Sequence, residues 1–279
     1  MKLATLTVGD GVTTAAVIVD AGAVPVNGYE DVGALLQDPD GMSLARAAAQ
    51  RPDDARPYER TSLRQPVLNP GAVVCVGLNY RNHILEMGHE LPSAATLFAK
   101  LPRALTDPYA EIVLPAASQK VDHEAELAFV IGVAGRDIAA ADAWDHVAGL
   151  TVLNDVSMRD YQQRSSQFFA GKTFEACTPW GPWIVTPDEV GDVTEKQISL
   201  TVNGEQHQHA KLGDLLFDVP TLVADLSRIV TLEPGDLIAT GTPGGVGAAT
   251  GRFLTAGDTV TVTIEDVGEI VNTFTAAAP

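Results

Sequence analysis

The chain predicts a β-rich α+β fold, and three observations carry that expectation. Short β-branched segments bounded by glycine and proline recur along it, most densely from Thr178 onward. Residues 127–131 are apolar at every position, as in a strand covered on both faces. Within the β-rich half only residues 219–229 show a clear helical stripe, with Leu222, Val223, Leu226 and Ile229 on one face.

The first 66 residues read as a small N-terminal α+β domain, with a larger domain over 67–279. Residues 3–8 and 13–19 predict two strands joined by the hairpin signal Gly9-Asp10-Gly11. Residues 31–37 and 43–50 predict short helices, each headed by a residue able to cap it. The charged, proline-broken stretch 51–57 is a connector. After a boundary at 67–71, residues 72–77 predict a buried strand. A helical turn follows, placing His83 and Glu86 on one face between the breakers Gly88 and Pro92, an arrangement suited to a lid. Strand character resumes at 97–100, and residues 156–164 fit a helix. Strands are then expected at 180–185 and 198–202, with Asn203-Gly204 as a hairpin turn, and at 237–240 and 257–264. The tail from Thr275 is expected to fray.

Composition bounds the function. Hydrophobic residues make up 46% of the 279 and charged residues 19%, which is an ordinary globular mixture. Acids outnumber bases 36 to 18, for a formal charge of -18, which argues against nucleic acid and anionic membrane as partners. Cys75 and Cys177 form neither a metal-ligand pattern nor a disulfide framework. The start lacks the apolar core of a signal peptide and no window is long enough to span a membrane, so a cytoplasmic location is expected.

Candidate chemistry centres on His123-Glu124-Ala125-Glu126-Leu127. Side chains two apart on a strand share a face, so Glu124 and Glu126 stand side by side. Two carboxylates about 4 Å apart repel by roughly 4 kcal/mol at an effective dielectric near 20, so a positive group belongs between them. Asp155, at the end of another apolar run, is a possible third oxygen donor, and such a set suits Mg2+ or Mn2+. The plainer alternative places both glutamates on the solvent face of an edge strand. Arg159 and Arg164 are candidates for gripping an anion, and Lys172 stands in an aromatic, glycine-bearing context. The turn 241–247 lacks the Lys-Ser/Thr of a phosphate-binding loop, but its backbone N–H groups and the Thr242 hydroxyl could cradle a carboxylate. His207 and His209, two apart beyond a hairpin turn, lack a third ligand and are not taken as a metal pair.

Five stretches in order, 77–87, 123–127, 154–160, 171–174 and 240–247, resemble the fumarylacetoacetate hydrolase family over about residues 70–274. The resemblance implies a fold of rolled, mixed β-sheets, a homodimer, and a catalytic domain in 67–279. It implies Mg2+ or Mn2+ on Glu124, Glu126 and Asp155, and a base dyad of His83 and Glu86 on a lid. It also implies substrate contacts from Arg159, Gln162, Lys172 and Thr242. Met158 and the run 173–176 depart from the family pattern and are expected to bear on specificity.

These groups suit a small anionic 2-oxo acid. His83 would activate water against a 2,4-dioxo acid, releasing pyruvate and a carboxylic acid, with Lys172 stabilising charge. The same apparatus would serve an oxaloacetate-type decarboxylase, or an isomerase in which His83 moves a C3 proton. A non-catalytic 2-oxo acid binding protein is the alternative from another class.

Overall fold

The computed structural model describes residues 1–277 except Asp10, Met87 and His89, and it leaves the Glu86 side chain undescribed. An eleven-stranded mixed sheet runs Gly22–Pro25, Thr13–Val19, Lys2–Thr7, Thr178–Val185, Val147–Asn154, Ala125–Ile131, Leu237–Ala239, Val73–Gly77, Thr96–Ala99. Two short strands pair off this path, Leu63–Arg64 and Leu105–Thr106. A five-stranded sheet, Glu205–Lys211, Gln197–Val202, Thr259–Ile264, Gly268–Ala276 and Ile112–Leu114, packs against it.

The continuous apolar run at 127–131 is explained by two cores. Leu127, Phe129 and Ile131 point into a cluster shared with Ile198, Leu200, Val260, Val262 and Phe274 of the smaller sheet. Ala128 and Val130 point the other way, toward Leu3, Val17, Leu35 and Ala45. Every residue of Ala125–Ile131 is therefore buried, and each large side chain contributes about 1.5–3 kcal/mol by leaving water. The strand Lys2–Thr7 pairs with Thr13–Val19 on one side and Thr178–Val185 on the other, so residues 1–66 extend the central sheet.

The hairpin at Asn203-Gly204 forms, with φ of 51° and 82° at its two turn residues. Asp31 caps the helix Val32–Gln37 by accepting from the Ala34 N–H. The next helix begins at Gly41, ahead of Ser43, because the Gly41 N–H already bonds Asp38 O and carries the turn forward. Val219–Ile229 is helical, capped by Asp218, but Ile229 is 62% exposed in the last turn. The helix expected over 156–164 is confined to Arg159–Gln162. Ser157–Met158 instead pairs with Val121–Asp122, and the Arg159 N–H is spent on Lys120 O. The tail does not fray at Thr275, since Thr275 and Ala276 pair with Val113 and Leu114. Among the described residues no helix is long and apolar enough to cross a membrane.

Candidate metal centre and its cavity

Strand register builds the site. Ala125 lies opposite Asn154 and Glu126 opposite Leu153, so Asp155 emerges beside Glu124. The Asp155 N–H donates to Glu124 O at 2.9 Å, and the Glu124 N–H donates to Asn154 Oδ1 at 2.9 Å. One carboxylate oxygen each of Glu124, Glu126 and Asp155 lie within 4.8 Å of one another, and all three residues are buried. This excludes the solvent-facing arrangement of the two glutamates.

Three cations meet these acids. Lys172 Nζ donates to Glu124 Oε2 at 2.6 Å and to Asp155 Oδ2 at 2.8 Å. Arg159 Nη2 sits 2.6 Å from Glu124 Oε1, while its Nε donates to Asp122 Oδ2 at 2.7 Å. Lys100 bonds Asp155 Oδ1. Burial works against charge on Asp155, but the ammonium groups of Lys100 and Lys172 offset it and hold this carboxyl below the usual range. Burial likewise opposes charge on Lys172 and Arg159, and their acidic partners overcome it and raise both. Glu126 is the exception. Its Oε2 accepts from the Gly241 N–H at 2.8 Å, yet burial, reinforced by Asp155 and Glu124, pushes its carboxyl well above the ordinary value.

A buried carboxyl so raised, beside two other acids, requires either a proton or a cation. Convergent oxygens with no sulfur or imidazole among them form a hard donor set, so the residues present fit a divalent ion of the Mg2+ or Mn2+ kind.

A cavity of about 370 Å³ opens on this cluster. His83, Glu124, Arg159, Gln162, Lys172 and Thr242 line it, with Val76, Phe98, Phe168 and Val246 as apolar wall. The expected dyad is placed only in part: His83 faces the cavity, whereas the Glu86 side chain lies outside the described residues. Gln162 Oε1 accepts from Arg159 Nη1 at 2.9 Å, which leaves its amide NH2 as a donor. The Thr242 hydroxyl gives its proton to Ala125 O at 2.9 Å and accepts from Gln208 Nε2 at 2.9 Å.

The glycine-rich turn is not the open cradle expected from its composition. The Gly241 N–H serves Glu126, and the Gly247 and Ala248 N–H groups both serve Asp122, at 2.6 and 2.8 Å. Backbone donors here organise the acids. Met158 is fully buried in the core and does not line the cavity, so its departure from the family pattern acts through packing. In the run 173–176, Thr173 caps Leu101 N–H and Phe174 meets Tyr161 edge-on at 5.0 Å.

Sequence reasoning passed over Lys100, Asp122 and Gln208. All three are buried, and Gln208 ties the Ala125 N–H to the 241–247 turn. Lys100 closes an apolar strand segment, which calls for a buried acid but does not say which one.

Comparison with known proteins bears on the family and the fold. A family described as "Fumarylacetoacetate (FAA) hydrolase C-terminal" matches residues 72–275. The human mitochondrial oxaloacetate tautomerase FAHD2A is 43% identical over 83% of the chain and 75% of its own length. A fumarylacetoacetate hydrolase structure from Exiguobacterium antarcticum superposes with a TM-score of 0.85 at 34% identity, over 99% of this chain and all of its own. The maleylpyruvate hydrolase of Sphingobium sp. SYK-6, solved with manganese(II) and pyruvate, gives a TM-score of 0.82 at 29% identity over the whole of both chains.

Proposed function

The chain belongs to the fumarylacetoacetate hydrolase family, and from that premise we propose that it is an enzyme moving a proton at C3 of a small 2-oxo acid, with the keto–enol interconversion of oxaloacetate as its reaction. The observation that carries this reading is one cavity wall that unites His83 with Glu124, Arg159 and Lys172. The 43% identity to an oxaloacetate tautomerase supports the choice of reaction.

A divalent cation on Glu124, Glu126 and Asp155 would draw electron density from the 2-oxo group and so acidify C3. The chain's own residues do the rest. Lys172 and Arg159 bring positive charge to the cavity for the substrate carboxylates, and the Gln162 amide adds a neutral donor. Val76, Phe98 and Phe168 keep water from the reacting end, which strengthens each of these contacts. His83 removes the C3 proton of the keto form and, as imidazolium, passes it to the enolate oxygen to give the enol, and the reverse direction runs the same transfer backward. No attacking water is required.

Hydrolytic C–C cleavage of a 2,4-dioxo acid is the second reading, favoured by the likeness to a maleylpyruvate hydrolase. Decarboxylation of oxaloacetate would use the same grip with a carboxylate leaving. The homodimer implied by the family resemblance is part of this proposal.

Loss of oxaloacetate enol absorbance, followed with Mn2+, tests the assignment. We expect His83→Ala to slow it by about 100-fold or more, as removal of a general acid–base group does, and EDTA to abolish it. An unaffected variant would take His83 out of the reaction. NMR of 2,4-dioxo acids in the same buffer decides between readings, because cleavage outpacing tautomerisation would put hydrolysis first. Retention of 2-oxo acids without any turnover would leave a binding protein.

A further inference from the structure

Two lysines share Asp155, and they approach it differently. Lys172 lines the cavity and bridges Asp155 Oδ2 and Glu124 Oε2. Lys100 takes the other oxygen, Oδ1, and is absent from the cavity wall, with its side chain wholly buried. Its backbone is held too. The Lys100 N–H donates to Val73 O at 3.0 Å, extending the pairing of Thr96–Ala99 with Val73–Gly77. The nearby Cys75 and Cys177 thiols are raised by burial, Cys177 to about 11, so neither competes as an anion. Among the described residues Asp155 is the one acid within ion-pair distance of Lys100.

We propose that Lys100 is a positioning residue for the cation site: it holds Asp155 Oδ1 from outside the cavity, so that Oδ2 alone turns toward Glu124 and Glu126. Lys172 is then the cation that yields Oδ2 to a divalent ion and is left facing substrate. This inference rests on the cation reading of the triad given above.

The sign of one measurement separates positioning from simple charge. Deleting Lys100 removes a positive charge near an incoming cation, and Coulomb attraction alone would then tighten binding. Loss of positioning weakens it, because Asp155 can rotate away from the triad.

The test is Mn2+ titration calorimetry of wild type, Lys100→Met, Asp155→Asn and the double variant, with thermal melts in EDTA to check folding. Lys100→Met should bind about 10- to 100-fold more weakly, the usual cost of losing a group that orients a ligand. The double variant should bind no more weakly than Asp155→Asn, since Lys100 positions only through Asp155 and its remaining charge opposes the ion. That second comparison serves if Lys100→Met fails to fold, because the double variant leaves neither charge unpaired. Tighter or unchanged binding by Lys100→Met overturns the inference, as does a double variant that binds more weakly than Asp155→Asn. A wild-type chain that binds no Mn2+ overturns it together with the cation reading.

Discussion

Glu126 is a carboxyl that the fold buries among like charges. Its pKa in the folded chain lies above the unfolded value of about 4.3. Such a group's contribution to stability is fully present below the unfolded pKa and is lost as pH rises through the folded one. Asp155 has the opposite sign: its lowered pKa contributes stability above about 3.9, lost as pH falls through the folded value. In EDTA near pH 8, Glu126→Gln should therefore raise Tm by about 2–4 °C, the scale of 1 kcal/mol in a chain this size. Calorimetric scans should show that gain vanishing near pH 3, well below the unfolded pKa, where Glu126 is protonated in both states. Mn2+ should stabilise the wild type and leave the variant unmoved. An equal Mn2+ response in both would remove Glu126 from the site. At this scale Glu124 and Glu126 were legible because two carboxylates spaced two apart at the entry to a buried strand demand compensation. Lys100 and Asp122 were not, because a single charge in an apolar context does not name its partner.

The elements that position the site meet at close quarters. Phe169–Lys172 passes so near Arg159–Gln162 that a Cβ on Gly171 would stand 2.5 Å from the Gln162 backbone nitrogen. That contact sets both Lys172 and Gln162 on the cavity wall. Gly171→Ala should destabilise the chain by about 1–3 kcal/mol through overpacking, read from urea unfolding. It should also lower turnover, because the two short helices must part. A variant with unchanged stability and rate would show that these helices can separate freely. The strand pattern and the Asn203-Gly204 turn were legible, since alternation and turn chemistry are local. The helix expected at 156–164 was not, because Ser157–Met158 is claimed by Val121–Asp122, a partner more than thirty residues away in the chain.

Across the whole molecule, a first strand sits inside the sheet that carries the acids. The division at residue 66 stays a proposal about the chain's organisation, and the pairing of Lys2–Thr7 with Thr178–Val185 argues against independent folding of the larger part. A 67–279 fragment would open that strand edge and uncover Ile184 and Trp180, which pack in the cluster shared with Leu3 and Val17. It should aggregate in size-exclusion chromatography while the full chain does not. A well-behaved fragment would establish that the first 66 residues are dispensable for folding. The sequence by itself pointed to the class of fold, to Glu124 and Glu126 as a pair with Asp155 as a possible third donor, and to the hard character of any ion such a set would hold, because periodicity and donor chemistry are properties of residue types. Only the tertiary structure decided that Asp155 stands beside Glu124, that Lys100 and Asp122 join the site, and that the glycine-rich turn serves acids of the chain. Those outcomes follow from strand register and burial, which arise when distant segments share one interior.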